Sequence, residues 1–348
     1  MKTVISTIKY LFLIILVGGF VVLGFPAIKN KLFYSGISVS KEVFTLNDKI
    51  NSSSPQDISP KRNNLLEEVD NFAISSVNNN GFSSKIYSLI KIRLDQAFKE
   101  ISITKVSPGK VKIWYIYNMG VIAKSSDKTI AFDLAGSYVY SNMSDFTKYI
   151  DILFITHFHN DHFEKNIVQT ALNNGATVVI PNEKIRFENN QFIKGNNGEN
   201  VLDYLKKNGG LQSNNLIAIK PFEKTVVKEI EVTAYPCNHT NKSLPLNWYY
   251  VNLSGVNLLH MGDGNVFDYQ PNFSNKNIDI FITHNTDPKT NDDLIKIVPH
   301  AKIILPLHVW ELGHGASIIN YMNYKSIIED DKNLTPLIWG ESFSLEKL

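Results

Sequence analysis

The sequence predicts an α/β protein in which layered β-sheets are covered by helices, carried behind a short helical extension and an apolar N-terminal segment. Three observations predict it. From about Val106 short β-rich runs alternate with helical patterns, hairpin-like at first and β-helix-β later. Ahead of them lie two stretches with helical apolar spacing. Ahead of those, residues 10–28 run without a charge.

Composition bounds the function classes. The chain has 348 residues, 43% of them hydrophobic and 20% charged, enough apolar material for a core and too much for a disordered chain. At roughly 150 residues per domain the length fits one large domain with an appendage, or two domains. Lys and Arg number 35 against 33 Asp and Glu, so no global field draws the protein onto nucleic acid. A single cysteine, Cys237, excludes an intramolecular disulfide framework and any cysteine-rich zinc module.

The first element is the uncharged run from Tyr10 to Ile28. As a helix it would span roughly 28 Å, close to a hydrocarbon core. A cleaved signal peptide would have a shorter apolar stretch and a small-x-small site. The run instead ends Gly24-Phe25-Pro26-Ala27-Ile28-Lys29, and no cysteine follows to take a lipid. Residues 1–30 therefore read as a membrane anchor or uncleaved signal, giving one transmembrane helix. Lys2 and Lys9 on one flank balance Lys29 and Lys31 on the other, so charge barely orients it. The preferred placement has the N-terminus in the cytoplasm and the bulk of the chain outside.

Residues 31–104 read as a polar tether and two amphipathic helices. Lys29 to about Ile58 is Ser/Asn-rich and reads as the tether. Ser59 can cap a first helix with Pro60 at its first position, and Leu65, Leu66, Val69, Phe72 and Ala73 share a face. Ile86, Leu89, Ile90, Leu94, Ala97 and Phe98 mark the second, with Asn79-Asn80-Gly81 between them. Both faces are expected to pack on the main domain, residues 105–348.

In that domain the strand-like runs are Val111–Tyr117, Thr129–Phe132, Ile152–Thr156, Thr177–Ile180, Val226–Tyr235, Trp248–Leu253, Val256–His260, Ile278–Thr283 and Lys302–Leu307. Helical patterns fall at Asp161–Asn173 and Asp292–Val298. Lys184–Gln212 is an Asn/Gly-rich insertion placed where it could cover a site.

The informative stretch is Ile152 to His162, ILFITHFHNDH. An apolar strand delivers the chain, and then His157, His159, Asp161 and His162 follow within six residues. In an extended segment His157 and His159 point the same way while Phe158 turns to the other face. The bend into the next helix brings Asp161 and His162 beside them. Such nitrogen and oxygen donors suit zinc, manganese or iron rather than calcium. Exposed histidines in a polar turn are the bland alternative.

The pattern His-x-His-x-Asp-His resembles the signature of the metallo-β-lactamase superfamily, and four later or earlier motifs follow that family's order. Val232 to His239 supplies a histidine after a strand. Leu258-Leu259-His260-Met261-Gly262-Asp263 supplies an aspartate in Gly-Asp form, and Ile303 to His308 a last histidine. Ile130-Ala131-Phe132-Asp133 matches the family's first aspartate, which orients a ligand without binding metal. The resemblance covers roughly residues 105–348. It implies a four-layer αββα metallo-β-lactamase sandwich and two divalent metal ions, zinc foremost, with manganese or iron as alternatives. It implies that His157, His159 and His239 hold one metal, that Asp161, His162 and His308 hold the other, and that Asp263 bridges them. The reaction it implies is hydrolysis by a hydroxide shared between the metals, with Asp161 counted in the catalytic set.

Other histidines carry their own expectations. His284, at a strand end, contacts substrate or donates a proton, or else is structural. His314, just past His308, is a substrate contact. His260 is a satisfied core histidine or a support for a ligand, His300 a surface residue, and Cys237 a packed thiol.

Within the superfamily, Asp263 in place of a cysteine argues against a dedicated β-lactamase of the commonest metal-dependent subclass. Asp161–Glu164 and the Gly-Asp segment resemble the branch with ascorbate-phosphate lactonase and N-acyl-phosphatidylethanolamine-hydrolysing phospholipase D. That branch often carries Gly-His-Ala/Ser near the first hairpin, whereas this chain has Tyr117-Asn118-Met119-Gly120-Val121. The expected substrates are phosphodiesters, lactones or esters, small molecules or lipids, with a membrane partner through the N-terminal helix and no nucleic acid. The expected location is the bacterial cell envelope, catalytic domain extracytoplasmic; the sequon Asn238-His239-Thr240 would put a glycan on the site in a glycosylating lumen. The alternatives are a catalytically silent metal-binding sensor or scaffold, and a nuclease.

Overall fold

The computed structural model of the chain describes residues 39–57, 59–78, 81–188, 191–195, 198–239, 244–264, 273, 275–284, 298, 300–313, 320–321 and 333–346. Residues 10–28, expected to form the anchor, lie outside them. Among the described residues no helix is long and apolar enough to cross a membrane.

Three helices open the described chain: α1 (Lys41–Asn51), α2 (Pro60–Ser75) and α3 (Ser84–Ile103). A two-stranded hairpin, β1 (Val77–Asn78) with β2 (Gly81–Phe82), joins the last two. Helix α1 corrects the sequence reading, which placed a tether across residues 29–58. Val43, Leu46, Asn47 and Ile50 recur at helical spacing and are buried, so a narrow apolar stripe outweighs the polar composition around it. Helix α2 starts at Pro60 as expected, although the Ser59 hydroxyl makes no capping bond.

The main body holds two large sheets. The first has seven strands: β3 (Lys110–Tyr115), β4 (Val121–Lys124), β5 (Thr129–Phe132), β6 (Ile152–Phe154), β7 (Thr177–Pro181), β11 (Leu216–Ile219) and β18 (Ser342–Glu346), ordered β11-β7-β6-β5-β4-β3-β18. The second has six: β12 (Lys224–Val227), β13 (Ile230–Asn238), β14 (Pro245–Leu253), β15 (Val256–His260), β16 (Ile280–His284) and β17 (Ile303–Leu307), ordered in chain sequence. Each sheet changes from antiparallel to parallel pairing, at β5–β6 in the first and β15–β16 in the second. The parallel strands β5, β6, β7 and β17 are buried along their whole length, as continuous apolar runs require.

The sheets meet face to face. Tyr249 donates to the Ile155 carbonyl at 3.1 Å, the Asn247 N–H to the Thr156 carbonyl at 3.0 Å, and His260 stacks on Phe132 with centroids 4.7 Å apart. Leu246, Trp248, Leu259 and Phe281 belong to a further buried cluster with Cys237, Phe273, Val298 and Ile304. Apolar residues therefore cover the second sheet on both faces. Cys237 is packed there, as expected.

Helix α4 (Lys165–Asn173) follows β6, starting later than the expected Asp161 because residues 159–163 close a turn of their own on the His159 carbonyl. The insertion forms a small sheet of β8 (Lys184–Glu188), β9 (Gln191–Lys194) and β10 (Glu199–Asn200), followed by α5 (Val201–Lys207). The run read as one strand, Val226–Tyr235, is a hairpin. Val227 pairs with Ile230 across Lys228 and Glu229, at φ 44° and 73°. Two positive φ values are what a tight two-residue hairpin demands, and Lys-Glu carries none of the Asn/Gly signal that announces one. All but Val298 of the expected helix at 292–298 lies outside the described residues.

Candidate metal centre

Strand ends assemble the site. Beyond β5 stands Asp133, beyond β6 Thr156 to His162, beyond β13 His239, beyond β15 Asp263, at the end of β16 His284, and beyond β17 His308. Ligating atoms of His157, His159, His239 and Asp263 lie within 4.8 Å of one another, and so do those of Asp161, His162, Asp263 and His308. The seven ligand candidates of the sequence thus form two groups of four that share Asp263. From its carboxylate, Oδ1 lies 3.1 Å from His162 Nε2, and Oδ2 lies 3.6 Å from both His239 Nε2 and His308 Nε2 and 3.8 Å from His157 Nε2.

Hydrogen bonds fix how the donors point. Asp133 accepts from the Thr156 N–H at 2.7 Å and from the Thr156 hydroxyl at 2.6 Å. Having donated there, the Thr156 oxygen accepts from His157 Nδ1 at 3.1 Å. That leaves His157 Nε2 without a proton, buried, and with no hydrogen-bond partner among the described residues. A buried lone pair in that position fits a metal. Asp133 also receives His162 Nδ1 at 2.9 Å, turning His162 Nε2 toward Asp161 and Asp263. A carboxylate behind a ligand histidine is the arrangement that orients a ligand and raises its basicity.

Charge agrees with the donor set. Burial holds His157 well below its ordinary pKa and takes His159 down to about 4, so both rings are neutral, as ligands must be. Burial opposes charge on His162 too, but Asp263, Asp161 and Asp133 outweigh it and raise its pKa well above the ordinary value. Burial would raise Asp263, but His162, His308 and His284 keep it well below the carboxylate range. Three carboxylates, Asp133, Asp161 and Asp263, thus converge on His162 and favour positive charge there, as a cation held by this group would supply. The residues present fit two divalent ions.

The backbone is strained around the site. Asp133, His308, Trp310 and Asn118 have φ between 44° and 66°, a region costing non-glycine residues of order 1–3 kcal/mol each. Gly262, at φ 54°, has no room for a side chain: a Cβ would stand 2.4 Å from Thr156 Oγ1.

Sequence reasoning missed Asn118. It sits between β3 and β4, buried, and donates to Asp161 Oδ2 at 2.9 Å and to the Asp161 carbonyl at 3.2 Å. Its own carbonyl accepts from the His308 N–H at 3.0 Å. The one sequence signal was an asparagine in a tight turn, a residue that tolerates positive φ. Thr156 was missed too, since a threonine before a histidine signals nothing by itself.

The remaining histidines separate. His284 Nε2 lies 3.9 Å from Asp263 Oδ1, and burial, with His308 beside it, brings its pKa to about 3, leaving the ring neutral at the rim of the centre. His260 accepts from the Gly262 N–H at Nδ1 and donates from Nε2 to the Met119 carbonyl, a satisfied core histidine. His300 is exposed, and His314 lies outside the described residues.

No protein-family model matches the chain, and no curated protein matches it in sequence. Solved structures match it in fold. Igni18, a metallo hydrolase from the archaeon Ignicoccus hospitalis, gives a TM-score of 0.50 at 15% identity, over 68% of this chain and 99% of that one. A variant of the CmlA β-hydroxylase gives 0.50 at 13% identity, over 70% of this chain and 55% of that one; CmlA is a diiron enzyme of Streptomyces venezuelae. YhfI of Bacillus subtilis, a metallo-β-lactamase fold protein, gives 0.48 at 13% identity, over 68% and 99%. At such identities the likeness is one of fold alone.

Proposed function

We propose that this chain has the metallo-β-lactamase fold and is a metal-dependent hydrolase working with two divalent ions on a phosphodiester, lactone or ester. The observation that carries the reading is the sharing of Asp263 between two four-donor groups. His157, His159 and His239 would hold one ion, Asp161, His162 and His308 the other, with Asp263 common to both. Bound there, two ions supply Lewis acidity and an activated water near neutral pH.

The chain's own contribution is orientation and charge. Asp133 and Thr156 aim His157 and His162, and Asn118 aims Asp161. His284 stands at the rim, 3.9 Å from Asp263, where a substrate oxygen could hydrogen-bond to its neutral ring. The uncharged segment at residues 10–28 supports a membrane-held enzyme acting on a lipid or envelope substrate, and its placement outside the cytoplasm is part of the proposal.

The test is hydrolysis of bis(p-nitrophenyl) phosphate by the full-length chain loaded with zinc, manganese or iron, with and without chelator. Chelator-sensitive turnover, abolished in Asp161→Asn and His159→Ala, is the expected result. Undiminished activity in either variant would remove the site assignment. No turnover of the phosphodiester, a lactone or an ester by protein shown to carry two metals would leave a metal-binding sensor.

A further inference from the structure

Helix α2 lies outside the region that resembles the superfamily, yet one of its side chains reaches the loop that carries His308. Asp70, buried in α2, accepts from Trp310 Nε1 at 2.7 Å and from the Tyr321 N–H at 3.0 Å. Trp310 is fully buried and stands two residues beyond His308. His308 and Trp310 have φ 66° and 54°. Two left-handed non-glycine residues so close together persist only where their surroundings over-determine them. On one side the surroundings are Asn118, whose carbonyl takes the His308 N–H. On the other they are Asp70.

The helical extension is also fastened to residues 336–341, further along the chain. Arg62, also on α2, donates to both Glu341 oxygens, at 2.8 and 2.6 Å, and to the Pro336 carbonyl at 2.8 Å. Arg93 on α3 donates to the Trp339 carbonyl at 2.9 Å. The extension therefore supplies Asp70 from a base that is itself held by buried, charge-assisted bonds.

We infer that Asp70 is a positioning residue for the metal subsite containing His308, so that α2 belongs to the metal centre and is not merely a spacer behind it. The inference rests on the metal-dependent reading of the site. Asp70 holds Trp310, Trp310 holds the strained loop, and the loop aims His308 at Asp161 and Asp263, 3.6 Å from each. His157, His159 and His239 come from the ends of β6 and β13, not from the loop that carries His308 and Trp310. Loss of the Asp70–Trp310 bond should therefore weaken one metal and spare the other.

The experiment is a cobalt(II) titration of the full-length, metal-stripped chain, read by ligand-field absorption and by competition with a chromophoric chelator. Wild-type protein should take up two equivalents. Asp70→Leu should weaken one equivalent about tenfold or more and leave the other unchanged, as removal of an outer partner does elsewhere. Asp70→Asn, which keeps an oxygen acceptor for Trp310, should restore most of the loss. Trp310→Phe cuts the same bond from the other side and keeps a ring in the slot, so it carries the test alone if Asp70→Leu fails to fold. Equal weakening of both equivalents, or no change in either in folded protein, would overturn the inference. Wild-type protein that binds no metal would instead overturn the reading of the centre itself.

Discussion

The side-chain amide of Asn118 donates to Asp161 Oδ2 at 2.9 Å, in a hairpin loop more than forty residues away in the chain from the carboxylate it holds. Through its main-chain carbonyl the same residue holds His308. Asn118 thus ties together two members of one four-donor group. Asn118→Ala should lower affinity for one metal equivalent by about 10–100-fold, with the other unaffected. Calorimetric titration of metal-stripped protein checks this, and unchanged affinity would show that Asp161 is held without it.

Asp263 is the one residue common to both groups. Asp263→Asn should therefore weaken both equivalents, whereas His239→Ala and His308→Ala should each weaken one. The double loss should exceed the ~10–100-fold cost of removing an outer partner. Two independent sites, each keeping wild-type affinity for its metal in Asp263→Asn, would contradict the shared-carboxylate arrangement.

Arg62 and Glu341 form a buried ion pair, with side chains 2% and 4% exposed. Removing one partner leaves an uncompensated buried charge. Arg62→Met should destabilise the fold by about 3–5 kcal/mol in denaturant unfolding, and Arg62→Met/Glu341→Met should recover part of the loss. A single variant as stable as wild type would mean that water reaches the pair.

Alkaline pH should unfold the protein for an identifiable reason. Burial raises the pKa of Tyr115, Tyr117, Tyr138, Tyr249 and Tyr321, with further contributions from Glu311 at Tyr115 and Tyr117. The folded pKa exceeds the unfolded value of about 10, so the neutral form belongs to the folded state. That stability is fully present below about pH 10 and is lost as pH rises beyond it, by up to ~1.4 kcal/mol per pH unit for each tyrosine. Unfolding free energies across this range, followed with tyrosinate absorbance, check it. All tyrosines ionising near pH 10 in intact protein would refute it.

Much of the core was legible because local pattern and tertiary burial agree there. Thr129–Phe132 and Val256–His260 are strands over the same bounds that their apolar runs suggested. Leu65, Leu66, Val69, Phe72 and Ala73 bury the face their spacing marked. Agreement failed where conformation depends on distant partners. Helix α1 was hidden by its polar composition, and the Lys228-Glu229 turn adopts positive φ without a residue that favours it.

The sequence alone determined which residues could bind metal, because ligand chemistry is a property of side-chain type and His-x-His-x-Asp-His places four donors within six positions. It also determined that later donors follow apolar strands, so that each emerges at a strand end. Only the tertiary structure decided that Thr156 and Asp133 choose which nitrogen of His157 and His162 faces inward, and that Asn118 and Asp70 hold the ligand loops. The physical reason is range. A donor's identity is written in one residue, but its direction is set by hydrogen bonds to residues tens or hundreds of positions away, and no local periodicity records them.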